Sequence, residues 1–201
     1  MTAPLNRAQL ISRGAKGGVA LLVAGSVTGL LAGTASADAI SDSDLAYARL
    51  LIGAELLAAD FYTQAIASNQ LSGDSQKYLK RALFNEQEHY ASMSGILSGA
   101  GQPPAVAEDF DFLYPKGTFA STGAIVKLGM SLETTVLGAY LGAVAGLQAN
   151  ALKQPVARIA ASEAQHLSVF SHLAGRDPVG NSFPDALTID EASSAFDPFT
   201  S

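Results

Sequence analysis

The feature that most constrains the fold is a pattern that occurs twice, in which a lone glutamate precedes a Glu-x-x-His tetrapeptide by about thirty residues. Glu55 stands 31 residues before Glu86-Gln-Glu-His89, and Glu133 stands 30 residues before Glu163-Ala-Gln-His166. Two copies at matching spacing indicate one helical hairpin repeated along the chain. A bundle with a pseudo-twofold axis through its centre is the expected result.

The segments that carry this pattern read as helices, with apolar residues recurring every three or four positions. Gly99-Ala100-Gly101 followed by two prolines predicts the end of the second helix, and Pro155 suits the first turn of the fourth. The segment of residues 99–120 is too long for a hairpin turn, and its length suits a crossover between helices that run in the same direction. The sequence therefore predicts an all-α four-helix bundle, with helices at about Ser41–Ser68, Asp74–Ser98, Ser121–Gln148 and Gln154–Leu173.

The segments outside the bundle have a different composition. We assign residues 38–178 to the bundle and residues 179–201 to a C-terminal extension, because the stretch after Leu173 is rich in Pro, Asp and Ser. We expect this extension to wrap the bundle, with three phenylalanines as anchors: Phe183, Phe196 and Phe199.

All four glutamates of the repeat fall within the apolar stripe of their helix, since residues three, four and seven positions away on a helix share its face. Glu133 and Glu163 are the only acidic residues between positions 121 and 173, whereas a solvated face would carry acids in no fixed register. An ionised carboxylate is costly to bury unless it is paired or binds a metal. The pattern therefore favours a buried metal site over a charged surface.

The donor types indicate which metals suit such a site. Carboxylates with one imidazole per ion favour iron(II) or manganese(II), and the chain has no cysteine for a thiolate site. Four carboxylates would be neutralised by two divalent cations, so we expect two iron ions or, alternatively, manganese. The candidate ligands are Glu55, Glu86, His89, Glu133, Glu163 and His166. The alternative is a buried polar network, inherited from a metal-binding ancestor, that is now empty.

Several segments resemble the ferritin-like superfamily, and most closely its exported bacterial branch related to desiccation-associated proteins. They are GAELLAADFYTQAIASNQLSG, NEQEHYASM, SLETTVLGAYLGA and SEAQHLSVFSHLAGRDP, and the resemblance spans roughly residues 43–178. It implies a ferritin-like bundle in which Glu86 and Glu163 bridge or chelate two metals, while each histidine binds one. Glu55 and Glu133 would then be terminal ligands.

The resemblance also implies a function, in which the centre oxidises Fe(II) or reacts with oxygen or peroxide. Tyr62 matches the tyrosine near ferritin-type centres and is the candidate catalytic side chain; core packing is the alternative for Tyr62 and Tyr140 alike. A second hypothesis is a stress- or desiccation-related structural protein whose metal only stabilises the bundle. A storage cage is the third, and the oligomeric state, including a homodimer, stays open.

The N-terminal segment reads as a signal peptide covering residues 1–37. Three basic residues precede an apolar stretch at 17–33, and Ala35-Ser36-Ala37 provides a cleavage pattern. An uncleaved membrane anchor is the alternative reading, and the export route, Sec or twin-arginine, stays open. We expect an exported protein of the periplasm, cell envelope or extracellular space. Cleavage would change the formal charge from −6 to −9, which disfavours nucleic acid and stable membrane association.

Overall fold

The computed structural model describes residues 40–200, so the predicted signal peptide lies outside the described residues. Regular structure in this range is helical apart from one antiparallel bridge between Phe112 and Thr200. The long helices are α1 (Asp42–Ala67), α2 (Gly73–Gly99), α3 (Thr122–Gly146) and α4 (Asn150–Leu173). A short helix, α5 (Ile189–Phe196), follows, and 3₁₀ turns cover Ala107–Asp109, Thr118–Ala120 and Asp197–Phe199.

The four long helices form two hairpins that pack side by side. The most extensive packing is of α1 on α2 and of α3 on α4, while α1 also contacts α3 and α2 contacts α4. Tyr62 of α1 bonds Glu133 of α3, and Glu55 of α1 bonds Tyr140 of α3, so α1 and α3 run antiparallel. Because α1 is also antiparallel to α2 within its hairpin, α2 and α3 run in the same direction. The chain is therefore an all-α bundle of two hairpins joined by a long crossover.

The inner helices of the bundle are α1 and α3, which supply much of the core. Both are long and apolar enough to cross a membrane by length and composition alone. More than half of the most apolar stretch of each is buried against the other helices, which is the arrangement of a core helix in a soluble bundle. Ser41 caps α1 by accepting a hydrogen bond from the Asp44 backbone N–H.

The fourth helix begins earlier than predicted, at Asn150 rather than near Gln154, so the placement of Pro155 in the first turn is wrong. The buried carboxylate of Asp44 explains the early start: it accepts from the backbone N–H groups of Gln148 at 2.7 Å and Ala149 at 3.0 Å. The turn before α4 is thereby held by the start of α1. Pro155 then lies in the second turn, where it removes one backbone donor from the helix.

The crossover is held to the bundle by aromatic side chains. Phe110 and Phe112 stack with their ring centres 5.2 Å apart, and Tyr114 meets Phe119 edge-on at 5.1 Å. The hydroxyl of Tyr114 donates to the Asp60 carboxylate of α1 at 2.8 Å. These aromatic side chains pack against one another and against α1.

The C-terminal extension lies along α3, but not through all three predicted anchors. Phe196 is buried and Phe199 is half-buried, whereas the side chain of Phe183 is 91% exposed, so that anchor is wrong. The chain instead docks through Leu187, whose backbone N–H donates to the Gly138 carbonyl at 2.9 Å. A Cβ on Gly142 would stand 1.7 Å from the Leu187 carbonyl oxygen, so the two backbones can meet only because residue 142 is glycine.

Candidate metal centre

The six residues of the repeated pattern converge on one buried cluster between the four long helices. Each of α1 and α3 contributes one glutamate, and each of α2 and α4 contributes the glutamate and histidine of its Glu-x-x-His. The four glutamates are at most 1% exposed, and the histidines are 9% (His89) and 5% (His166) exposed. The i, i+3 spacing points the glutamate and histidine of one helix inward about one turn apart.

The cluster divides into two groups of four that share two members. One group is Glu55, Glu86, His89 and Glu163; the other is Glu86, Glu133, Glu163 and His166. Within each group, one donor atom per residue lies within 4.8 Å of the donor atoms of the others, close enough to surround one ion. Glu86 and Glu163 belong to both groups, so each lies between the two histidines.

Distances around each imidazole show how closely the groups match. Nδ1 of His89 lies 2.8 Å from Glu163, 3.4 Å from Glu86 and 3.6 Å from Glu55. Nδ1 of His166 lies 2.8 Å from Glu86, 3.1 Å from Glu163 and 3.9 Å from Glu133. Each histidine thus faces the two central glutamates and one outer glutamate. This is the pseudo-twofold relation that the repeat predicts.

Two tyrosines complete the cluster by bonding the outer glutamates across the bundle. The hydroxyl of Tyr62 donates to Oε1 of Glu133, and the hydroxyl of Tyr140 donates to Oε1 of Glu55. Burial and the neighbouring carboxylates raise the pKa of both phenols well above its usual value, so both remain protonated donors. Oε2 of each outer glutamate therefore stays directed at the cluster.

Several oxygens at the centre of the cluster have no hydrogen-bond partner within residues 40–200. They are Oε2 of Glu55, both oxygens of Glu86, Oε2 of Glu133 and Oε1 of Glu163. Imidazole nitrogens approach some of them to 2.8 Å, yet those contacts are not aligned as hydrogen bonds. Buried carboxylate oxygens are expensive to leave without a partner, and a bound cation would supply one to several at once. The donor set therefore fits a metal site.

The charges of the cluster are coupled through the two histidines. Burial alone would lower the pKa of His89, but contacts with Glu163, Glu55 and Glu86 raise it to about 11. Burial raises the pKa of Glu86 and of Glu133 well above the usual value, and the charge of Glu163 adds to both shifts. The pKa of Glu163 itself falls to about 2, because contacts with His166 and His89 outweigh its burial. The two histidines thus favour the charged form of Glu163, whereas burial favours the neutral forms of Glu86 and Glu133.

Two contacts around His166 were not foreseen from the sequence. The Asn85 side-chain amide lies 3.1 Å from Nε2 of His166, the nitrogen that faces away from the carboxylates. The ring of Phe170 stacks on Tyr62 with centres 5.9 Å apart, and a Cβ on Gly129 would meet that ring at 2.3 Å. Both contacts join different helices, so periodicity along a single helix carries no signal for them. Two other polar residues of the same helices, Glu88 and His172, are exposed.

Comparison with known proteins places the fold. The crystal structure of the hypothetical protein MJ0754 from Methanococcus jannaschii DSM 2661 is similar, with a TM-score of 0.56 and 15% sequence identity. The match covers 77% of this chain and 91% of that chain, and at this identity it shows the fold alone. No curated protein matched the sequence.

The family assignment rests on a longer match. A family model described as a ferritin-like domain matches residues 43–176. This range includes all four long helices apart from Asp42, the first residue of α1. All six residues of the cluster and both tyrosines lie within that range. The chain therefore belongs to the ferritin-like domain family.

Proposed function

We propose that this protein binds two divalent transition-metal ions, iron or alternatively manganese, at the buried cluster. His89 with Glu55 would hold one ion, His166 with Glu133 would hold the other, and Glu86 and Glu163 would be shared between them. The observation that carries this proposal is the set of buried carboxylate oxygens in the two groups that lack hydrogen-bond partners among the described residues.

Charge and donor chemistry support two ions rather than one. Four carboxylates are balanced by two divalent cations, and each of the two groups offers its own imidazole. Oxygen donors with a single imidazole suit iron and manganese, whereas the chain has no cysteine to favour copper(I) or an iron–sulfur cluster. The same donor arrangement on the same type of bundle is the known basis of dinuclear carboxylate centres.

We further propose that the centre oxidises Fe(II) or reacts with oxygen or peroxide. Iron, when bound, would supply redox chemistry that no side chain of the cluster offers. The chain's own contribution is to bury the carboxylates and to hold a proton at the Tyr62 hydroxyl. That hydroxyl bonds Glu133, and the Tyr62 ring meets the His166 ring edge-on with centres 6.1 Å apart. Tyr62 is therefore the side chain we propose to act beside the metals.

A matched pair of variants on one helix tests the proposal. Glu86 is buried and shared by both groups, whereas Glu88, two residues away, is exposed. Anaerobic Fe(II) titration should reach about two irons per chain in the wild type and in Glu88→Gln. Glu86→Gln should bind markedly less, because it loses one charge and one shared donor. Unchanged uptake by Glu86→Gln would refute the site.

Addition of air to the loaded protein then tests the activity. The wild type and Glu88→Gln should develop a transient near-ultraviolet or visible absorbance and consume oxygen. Full loading without any reaction with oxygen or peroxide would refute the redox activity and leave the metal site standing.

A purely stabilising metal, as in a stress-related structural protein, is the second candidate. It is supported by the position of the cluster, which draws ligands from all four long helices and would crosslink them when loaded. Ligand binding to the native state raises its stability by about 2.7 kcal/mol at a hundredfold excess over Kd. This candidate predicts a large fall in melting temperature on metal removal, with no oxygen or peroxide turnover at any metal loading.

Export is a separate proposal, based on the pattern in residues 1–37. We propose that the chain is cleaved after Ala37 and acts in the periplasm, cell envelope or outside the cell. Mass spectrometry of the protein from its native compartment should find Asp38 at the N-terminus. An intact N-terminus in a membrane fraction would support an anchor instead.

A further inference from the structure

A cavity of about 190 Å³ lies between α2 and α4, directly beside one end of the metal-ligand cluster. Its lining becomes more buried with depth. Tyr78 and Arg81 at its outer edge are exposed, Asn85 and Val169 are half-buried, and the deepest walls are buried side chains. Those deepest walls are Tyr62, His166 and Phe170. The cavity thus leads from the protein surface to a candidate ligand and to the proposed catalytic tyrosine.

The pseudo-twofold relation identifies a difference between the two hairpins at the wall of this cavity. Superposing Glu86-x-x-His89 on Glu163-x-x-His166 relates Ala82 to Ile159, because each stands four residues before its glutamate. Ala82 lines the cavity and is 7% exposed, whereas Ile159 is 6% exposed at the equivalent position beside the other histidine. One half of the repeat therefore carries a methyl group where the other carries a branched four-carbon side chain.

The hollow between α1, α2 and α4 near Met93 and Val156 is, by contrast, packed too tightly to admit a water molecule. Met93 and Val156 are the counterparts of Phe170 and Leu79, which both line the open cavity. Two pairs of corresponding residues thus face usable space beside His166 and filled space near the start of α4.

We propose that this cavity is the entrance through which dioxygen- or peroxide-sized molecules reach the His166 side of the centre, and that Ala82 keeps it open. Its volume would hold about six molecules of water size and is below the roughly 300–1,000 Å³ of pockets that take drug-sized ligands. The entrance therefore selects small reactants and excludes large organic substrates. This proposal rests on the proposed function, since it names the reactant class of that centre.

Asn85 lies where the entrance meets the centre. Its side chain lines the cavity and contacts Nε2 of His166 at 3.1 Å, so it fixes the imidazole with Nδ1 towards the carboxylates. Ser162, at the equivalent position of the other hairpin, has a shorter side chain. We therefore assign Asn85 as a positioning residue at the inner end of the entrance.

Xenon binding to crystals of the metal-free full-length protein tests the cavity without relying on metal chemistry. Xenon is of dioxygen size and binds apolar cavities. The wild type should show a xenon peak between Ala82 and Phe170, and Ala82→Ile, which copies the closed half of the repeat, should lose it. Ile159→Ala is the control and should keep that peak. Absence of the peak from the wild type, or its persistence in Ala82→Ile, would overturn the proposal.

The loaded protein supplies the second readout. Ala82→Ile should bind as much anaerobic Fe(II) as the wild type yet react with oxygen about tenfold more slowly, since entrances of this kind act by gating. Ile159→Ala should react at the wild-type rate. Equal rates of reaction with oxygen in the wild type and Ala82→Ile would overturn the entrance and leave the metal site intact. Failure of the wild type, Ala82→Ile and Ile159→Ala to bind metal would refute the proposed function. The xenon experiment would still test the cavity in that case. Ala82→Val replaces Ala82→Ile if the larger side chain prevents folding.

Discussion

The hydroxyl of Tyr62 on α1 donates a hydrogen bond to the carboxylate of Glu133 on α3. The hydroxyl of Tyr140 on α3 donates the equivalent hydrogen bond to Glu55 on α1, so each hairpin orients the outer glutamate of the other. All four side chains are at most 1% exposed. Because water cannot replace either donor, the two hairpins depend on each other for the geometry of the cluster.

Removal of either hydroxyl should destabilise the metal-free protein. Tyr62→Phe and Tyr140→Phe each leave a buried carboxylate oxygen without a donor, which costs about 1–3 kcal/mol. Chemical denaturation of both variants measures this loss, and the pseudo-twofold relation predicts similar values. Tyr62→Phe should in addition slow the reaction with oxygen more than Tyr140→Phe, because only Tyr62 lines the cavity. Equal rates in the two variants would contradict a special role for Tyr62.

The tie between α1 and the turn before α4 should be measurable on its own. Asp44 is 1% exposed and accepts two backbone hydrogen bonds, whereas Asp42 in the same helical turn is exposed. Asp44→Asn loses the charge and one acceptor, so we expect a loss of about 2–3 kcal/mol in unfolding free energy. Asp42→Asn should lower the unfolding free energy by less than about 1 kcal/mol, which is the usual contribution of a charge at a helix terminus. Equal losses of unfolding free energy in Asp44→Asn and Asp42→Asn would refute the link between α1 and the turn before α4.

The docking of the C-terminal extension depends on one glycine of α3. Gly142→Ala would place a methyl group on the Leu187 carbonyl, so the extension should detach and become sensitive to limited proteolysis between α4 and α5. Gly123→Ala is the control, because a Cβ there meets nothing within 4 Å. That variant should be as stable as the wild type or slightly more so. A protease-resistant Gly142→Ala protein would contradict the described packing.

Metal binding should become tighter as pH rises. The pKa of His89 is about 11 in the metal-free cluster, so at neutral pH its imidazole carries a proton that an ion must displace. Protons compete more strongly as pH falls, and each proton released changes the affinity by roughly tenfold per pH unit. Calorimetric titration with manganese(II) between pH 6 and pH 8 measures the affinity. Repeating it in buffers of different ionisation enthalpy measures the number of protons released. An affinity independent of pH would contradict the protonated state.

Much of the fold and of the candidate site was accessible from the sequence because both repeat. The spacing from Glu55 to Glu86 and from Glu133 to Glu163 predicts two hairpins, and the structure has two hairpins. The scarcity of acids in α3 and α4 left Glu133 and Glu163 as candidates for burial, and the six candidate residues do come together. Internal symmetry thus supplied long-range information that a single helix pattern lacks.

The remaining features depend on contacts between elements that periodicity does not relate. The start of α4 depends on Asp44, about one hundred residues earlier in the chain, so local signals such as Pro155 misplaced it. Hydrophobicity alone predicts Phe183 as an anchor, yet this part of the extension docks by backbone contact at Gly138 and Gly142. Ala82 and Ile159 differ between the two hairpins, and a repeat predicts only the features that its copies share.

The central claim, two metals held by six side chains, is tested most directly by anomalous diffraction from crystals of the iron-loaded protein, recorded on both sides of the iron absorption edge. The account predicts two anomalous peaks per chain, one beside Nδ1 of His89 and one beside Nδ1 of His166, with Glu86 and Glu163 between them. Iron peaks at other positions only, or none in the cluster at full loading, would contradict it.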